Sequence, residues 1–549
     1  MTQQRPNILL IMTDQERYPV PYEDEALAEF RRTQLPARQR LIDEGLQFHR
    51  HYTGATACAP SRATLFTGHY PSLHGVRSTD GLAKHADDPQ MQWLDPDVVP
   101  TMGHWLQAAG YRTYYRGKWH ISHADLAEPG THEGLKANDA MGAVLQEMVE
   151  LYQRTDRLDP FGFTGWIGRE PHGADRADTG VVKDAVYRDQ VTDMFLQLTE
   201  DDDPRPWLAV ASFVNPHDIT FAGPAWDLLQ FPHPDATVPD IPEAPSQSDS
   251  FDGRPDVQRQ WSQTWPRMAF PIALDNDYRR LYMYLHKLVD AAILSVLDAL
   301  DAAGLAESTV VVFTSDHGDL IGAHGGMQQK WYNAFDEAIR VPMIIRGPGI
   351  EHDPAGVTLP TSHVDLLPTL LGLAGASDDS LLSVVAQRHI EAHPLPGRDL
   401  SAVVRDPAAA TALDSPVYFM TEDQISQGPH QVNQATRVAF DPVTGPGCVE
   451  TVITTLSAGA DGSSELWKLS RYYELDNPAG VTDLEAYNLT LDPQERANRA
   501  SDPAAPIDAL VTILEQQRAS KRLVPRYSNP EAPDAAAALA AAAASPMVQ

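Results

Sequence analysis

Ile8-Leu9-Leu10-Ile11-Met12-Thr13-Asp14-Gln15, entered through Pro6-Asn7, is a short apolar run that ends in polar side chains. No polar residue interrupts its apolar part, which predicts a strand buried on both faces, as in a parallel sheet covered by helices. The run is shorter than the roughly 7–15 apolar residues of a signal-peptide core, and no small-residue cleavage site follows it. A counterpart lies far along the chain, where Val310-Val-Val-Phe-Thr-Ser315 runs into Asp316-His317-Gly318-Asp319. Trp207–Val214, ending in Asn215-Pro216-His217-Asp218, and Tyr111–Tyr115, ending in Gly117-Lys118-Trp119-His120, predict two further strands of the same kind. Helices are expected between them, at Thr101–Ala109 before Gly110 and at Tyr278–Ala303 before Gly304. In the second, Leu281, Leu285, Leu288, Ile293, Val296 and Leu300 recur at near-helical spacing. Such alternation predicts an α/β fold: a large mixed, mostly parallel sheet sandwiched by helices. In open sheets of this type ligands gather outside the carboxyl ends of the strands, so the polar strand ends should meet there.

The chain has 549 residues, which allows two or more units at roughly 100–200 residues each. Hydrophobic content of 42% and charged content of 21% are ordinary for globular proteins. No stretch reaches the ~20 apolar residues of a membrane helix. A soluble, cytoplasmic protein with no membrane partner is therefore expected. The formal charge of −33 opposes a nucleic-acid partner, whose phosphates most of the surface would repel. An anionic substrate would have to meet a locally positive site. The two cysteines, Cys58 and Cys448, are too few for a disulfide framework.

Cys58 opens Cys58-Ala-Pro-Ser-Arg62, which continues through Ala63-Thr-Leu-Phe-Thr67-Gly-His69-Tyr-Pro-Ser-Leu-His74-Gly75. A lone Cys before Pro is most often a small buried apolar residue. This longer pattern, however, resembles the signature of the formylglycine-dependent sulfatases of the alkaline phosphatase superfamily. Gly117-Lys-Trp-His120, Gly325-Gly-Met-Gln-Gln-Lys-Trp-Tyr332 and Ser362-His-Val-Asp365 resemble further segments of that family, in the same order. The resemblance covers roughly residues 5–500. It implies that Cys58 is oxidised to formylglycine by a maturation enzyme and acts as a hydrated aldehyde. It also implies a metal site formed by Asp14, Gln15, Asp316 and His317 with an oxygen of modified Cys58.

The Asp-Gln and Asp-His pairs depart from the common Asp-Asp arrangement and resemble choline sulfatases and phosphonate monoester hydrolases. An amide in place of a carboxylate lowers the negative charge, and an imidazole softens the donor set. Ca2+ remains admissible, while Mn2+ or Zn2+ becomes better suited than in an all-oxygen site. By resemblance Lys118 holds the formylglycine and substrate oxygens, and His120 takes the proton from the non-esterified hydroxyl. His217 and Lys330 contact the transferred group and the leaving oxygen, and Arg62 completes the positive lining. Of the two proton donors His217 suits the acid role better by its unperturbed pKa of ~6.5. The implied activity is arylsulfatase-like hydrolysis of a small-molecule sulfate ester: an oxygen of the diol attacks sulfur, and the sulfated hemiacetal then collapses, expelling sulfate. The alternatives are a phosphonate monoester or phosphodiester hydrolase of the same superfamily and a non-catalytic binding protein with the same fold. His324 and His172 are candidate pocket walls.

Residues 121–200 and 220–275 have the look of insertions, rich in Pro, Asp and aromatics. They include Pro160–Ile167, Trp261 and Trp265, and their expected roles are substrate selection or surface and subunit contact. The catalytic α/β part is expected over 1–415. A smaller C-terminal α+β domain over 416–527 follows, whose last strand, Glu485–Asp492, resembles the end of the family's antiparallel domain. Strand candidates there are Arg437–Phe440, Thr451–Leu456 and Leu466–Leu469, with a helix over Pro506–Lys521. The Ala-rich tail 528–549 is either flexible or an arm ordered against another subunit of a homo-oligomer.

Overall fold

The computed structural model describes residues 5–129, 131–171, 175–413, 416–433, 436–457 and 463–526. His172 and the tail 528–549 lie outside the described residues. In chain order the strands up to residue 362 are β1 (Asn7–Asp14), β2 (Leu46–Phe48), β3 (His51–Tyr52), β4 (Arg112–Gly117), β5 (Trp207–Pro216), β6 (Thr309–Ser315), β7 (Arg340–Val341), β8 (Met343–Arg346), β9 (Asp353–Val357) and β10 (Thr361–Ser362).

A seven-stranded sheet runs in the order β4-β5-β1-β6-β8-β2-β9. β4, β5, β1 and β6 are mutually parallel, and β8 pairs antiparallel with both of its neighbours. The two apolar runs that the sequence singles out are direct neighbours, with Thr13 opposite Ser315 and Leu10 opposite Val312. Burial on both faces explains why neither run alternates. Ile8, Leu10, Met12, Val310 and Val312 pack toward Trp105 and Leu370 on one side. Leu9, Ile11, Val311 and Phe313 pack toward Val191, Ile293 and Leu297 on the other. The covering helices include Met102–Ala108, Gly180–Glu200, Asn276–Ala302 and Leu366–Leu373. A second, three-stranded sheet has the order β10-β3-β7.

The C-terminal part is a four-stranded antiparallel sheet of β11 (Val417–Thr421), β12 (Cys448–Leu456), β13 (Glu465–Tyr473) and β14 (Asp483–Asn488), in that order. Helix Ile507–Lys521 lays Leu510 and Leu514 against Val452 and Leu469. The opposite face shares an apolar layer with the larger part, where Phe419, Ile453 and Tyr472 meet Tyr52, Trp261, Trp331 and Phe335. Lys468, fully buried, adds a polar tie to Asp336 Oδ1 at 2.6 Å and Glu495 Oε1 at 2.8 Å.

Two expectations need correction. Arg437–Phe440 is not a strand; the local pairing is a single bridge between Val432 and Ala439. Pro442 and the Gly445-Pro446-Gly447 turn leave too little uninterrupted backbone for a ladder. The expected insertion 121–200 contains the helix Gly180–Glu200, which is part of the sheet's cover. Its aromatics are internal: Phe161, Phe163 and Trp166 are buried in the cluster that contains Tyr115 and Trp119. Trp261 and Trp265 likewise lie on the buried face of helix Asp256–Met268 and pack on Trp331.

Leu10 is wholly buried at the centre of the sheet, whereas Leu228 is 83% exposed. Leu10→Ala should therefore destabilise the protein by about 2–5 kcal/mol. Leu228→Ala should stay within about 0.5 kcal/mol. Thermal unfolding of the two variants side by side checks this.

Candidate active site

The carboxyl ends of β4, β5, β1 and β6 lie side by side, and each delivers part of one cluster. β1 ends in Asp14 and Gln15, β6 in Asp316 and His317, β4 in Lys118 and His120, and β5 in His217. Cys58 enters from the side as the first residue of helix Cys58–Thr67. Gly117 is required where β4 leaves the sheet: its φ is +103°, and a Cβ there would lie 1.9 Å from Ser212 O. Gln15 (φ 71°) and His120 (φ 58°) hold left-handed backbone that non-glycine residues adopt at a cost of order 1–3 kcal/mol, a strain that concentrates at functional sites.

Arg62, one turn into that helix, is wholly buried and uses its whole fork. Nε donates to Asp316 Oδ2 at 2.9 Å and one terminal nitrogen to Asp14 Oδ2 at 3.0 Å. The other donates to Lys118 O at 2.8 Å and Ser212 Oγ at 2.9 Å. Arg62 thus stands behind the carboxylates and ties the ends of β1, β4 and β6 to the body of β5, and does not line the cleft as expected. Ser61, next to it, donates to Asp316 O at 2.5 Å.

Asp14, Cys58, Asp316 and His317 each offer a donor atom, and these atoms lie within 4.8 Å of one another. Cys58 Sγ is 3.0 Å from His317 Nε2 and 3.6 Å from Asp14 Oδ1. His317 Nδ1 bonds Gly318 O at 2.9 Å, which sets the proton on Nδ1 and turns the Nε2 lone pair inward. Burial, with Lys330 next, pushes His317 well below its usual range and keeps it a neutral donor. Burial alone would raise Asp14, but Lys118, His217 and Arg62 outweigh it and hold this carboxyl well below the usual range. Burial and the charge of Asp14 push Asp316 up to about 7. A divalent cation suits this set: two carboxylates crowd together, and an oriented imidazole and residue 58 face the same point. Burial, then Asp14, pushes the Cys58 thiol up to about 12, so the unmodified side chain is a poor nucleophile.

Gln15 is brought to the same strand end, but its side chain is engaged elsewhere. Oε1 accepts from Lys330 Nζ at 2.7 Å, while Nε2 donates to Asp319 Oδ2 at 2.5 Å and Gln329 Oε1 at 3.1 Å. Lys330 also sits 4.6 Å above the Trp331 ring. Lys118 Nζ pairs with Asp14 Oδ2 at 2.6 Å. His217 is half-buried; burial, with Lys118 next, pushes it well below its ordinary value, which corrects the expectation of an unperturbed acid. His324 is a structural residue: it bonds Glu337 Oε2 at 3.1 Å and stacks on Phe335.

Two acidic residues escaped sequence reasoning. Asp80 Oδ1 lies 2.5 Å from His120 Nε2, and Glu170 accepts the backbone N–H groups of Trp119 and His120. Asp80 follows the Cys58 signature within the same segment, and that proximity was the available signal. Glu170 had none, because it comes from a distant loop.

Comparison with known proteins gives the family and the fold. The sequence model of the family described as Sulfatase matches residues 6–376. The choline-sulfatase of Rhizobium meliloti is 28% identical over 536 residues, covering 95% of this chain and 87% of that protein. The uncharacterized sulfatase YidJ of Escherichia coli is 29% identical over 381 residues, or 69% of each chain. Among solved structures, the phosphonate monoester hydrolase of Silicibacter pomeroyi superposes with a TM-score of 0.60 at 20% identity, covering 94% of this chain and 96% of that one. A 2-O GAG sulfatase gives 0.58 at 20% identity over 94% and 91%. At that identity the likeness is one of fold.

Removing Arg62 should leave two buried carboxylates without their shared partner. Arg62→Leu is expected to destabilise the metal-free protein by about 3–5 kcal/mol. Arg62→Lys should recover little of this, because a single ammonium cannot reach all four acceptors. Thermal unfolding in chelator gives the comparison.

Proposed function

The chain belongs to the sulfatase family, and from that premise we propose that it hydrolyses sulfate monoesters with a formylglycine made from Cys58 and one divalent metal ion. The observation that carries this reading is the convergence of Asp14, Cys58, Asp316 and His317 on one point, with Lys118, Lys330 and His217 around it. The metal would be held by Asp14, Asp316 and His317 with residue 58, and Gln15 joins if its Oε1 turns from Lys330. A metal held there would lower the pKa of an oxygen on residue 58 and polarise the sulfate. Formylglycine supplies, as its hydrate, the oxygen nucleophile that a thiol held at about 12 does not.

The remaining work falls to this chain's own side chains. Lys118, bonded to Asp14, carries positive charge toward residue 58 and the sulfate oxygens. Lys330 is assigned the leaving oxygen and gives it a proton from Nζ. His217, held neutral by burial and Lys118, orients the ester, and the negative charge of a bound sulfate would favour its taking a proton. His120 is assigned removal of the proton from the free hydroxyl of residue 58. With Nε2 committed to Asp80 Oδ1, the accepting atom is Nδ1, and Asp80 stabilises the imidazolium that results.

The test is a parallel measurement of kcat/KM on 4-nitrophenyl sulfate and 4-nitrophenyl phenylphosphonate, with residue 58 checked by mass spectrometry. Preference for the sulfate supports the proposal, and preference for the phosphonate assigns the protein to the phosphonate hydrolases. Cys58→Ala should lower turnover of the sulfate by at least about 10³-fold. Cys58→Ser should trap sulfate on the enzyme or lose turnover, so sustained multiple turnover would contradict the reading. Chelation should abolish activity, and Ca2+ or Mn2+ should restore it. Asp80→Asn should cut kcat by about 10²-fold with little change in KM.

A further inference from the structure

Outside the catalytic cluster, His85, Asp88 and His430 also bring metal-binding atoms together, each offering one donor within 4.8 Å of the others. His85 and Asp88 share a turn closed by the Asp88 N–H on His85 O at 3.0 Å, and the Asp88 carboxylate accepts the His85 N–H at 2.6 Å. His430 arrives from the far end of the sequence. Its N–H donates to Ala83 O at 3.1 Å, and Gly428 permits the approach, since a Cβ there would lie 2.1 Å from Ala83 O. The two imidazoles stack with centroids 3.9 Å apart and planes 12° from parallel, and His430 Nε2 is 3.2 Å from Asp88 Oδ2.

We propose that His85, Asp88 and His430 form a second divalent-metal site, selective for Zn2+, that fastens the turn at 81–88 to the loop at 423–430. Two imidazole nitrogens and one carboxylate oxygen are a borderline set that suits Zn2+ better than the all-oxygen preference of Ca2+ or Mg2+. The charge is favourable: Asp88 contributes one carboxylate and Asp87 stands beside it, in a chain of formal charge −33. Tetrahedral ligands at roughly 2.0–2.1 Å from zinc lie roughly 3.3 Å apart, and stacked rings aim their in-plane lone pairs side by side, so the cluster must contract and the His85 ring must turn out of the stack to face the ion. His85 is exposed, which lets its ring make that adjustment and leaves room for water to complete the coordination.

The two segments already touch, through Lys84 Nζ on Gln424 O at 3.2 Å, and just ahead of the turn the Thr79 N–H donates to Asp423 Oδ2 at 3.0 Å. The same stretch carries Asp80, the partner of His120. A metal clamp there stiffens one wall of the catalytic mouth without touching the substrate.

The experiment uses tag-free full-length protein with the catalytic cluster intact, alongside His430→Ala and Asp88→Asn. Zn2+ stoichiometry is measured by equilibrium dialysis, Co2+ absorption reports coordination, and melting temperature is followed with and without Zn2+. The wild type should bind one equivalent more than either variant, with a Zn2+-dependent rise in Tm that both variants lose in part. The ion at the catalytic cluster is common to all three proteins and cancels. Asp88→Asn keeps an acceptor for the His85 N–H, so loss of the extra equivalent there reports the ligand and not a collapsed turn. Equal stoichiometry and equal Tm shifts in the three proteins would overturn the proposal.

Discussion

The Arg62 guanidinium is the point on which the carboxyl ends of β1, β4 and β6 are aligned against β5. Its partners are Asp14 from β1, Asp316 beyond β6, Ser212 of β5 and the backbone beyond β4. All of this lies out of contact with water, where an unpaired charge costs several kcal/mol. Two carboxylates face two cations, Arg62 and Lys118, so the buried cluster is balanced before a metal enters. A dication bound there would leave a local positive excess, increased by Lys330. That is the condition an anionic ester requires in a protein whose remaining surface is strongly acidic.

The strands of the catalytic end are legible because burial on both faces writes an uninterrupted apolar run, and chemistry writes a polar terminus straight after it. The pattern of residues alone therefore assigns Asp14, Asp316, Lys118 and His217 to strand ends. The direction in which Arg62 faces is not legible, since a basic residue in a motif looks alike whether it lines a cleft or supports one. The aromatics of residues 160–167 mislead for a related reason: Phe and Trp signal either a binding wall or a core, and here Phe163 and Trp166 pack under the loop that presents Lys118. Asp80 and Glu170 act through contacts between segments distant in sequence, which no local pattern encodes. In the smaller sheet β11 goes unforeseen, and Arg437–Phe440 has the composition of a strand that its Pro and Gly neighbours prevent.

The smaller sheet shares an apolar layer with the catalytic part, and Lys468 bridges the two through Asp336 and Glu495. The loop after β11 supplies Asp423, which accepts from Trp331 Nε1 and the Thr79 N–H and so meets both flanks of the site. The C-terminal part from β11 onward is thus a structural support of the mouth formed by Asp80, His120 and His217.

Cys58 is 2% exposed, roofed by Asp14 and His317 from strands that begin about 300 residues apart in the chain. Once β6 has docked beside β1, no protein catalyst can bring its own active site to that sulfur. Any enzymatic conversion of Cys58 would therefore have to precede that docking, in competition with folding. A chain that folds first would be sealed with its thiol intact, so the order of folding and conversion would set the share of chains that carry the proposed nucleophile.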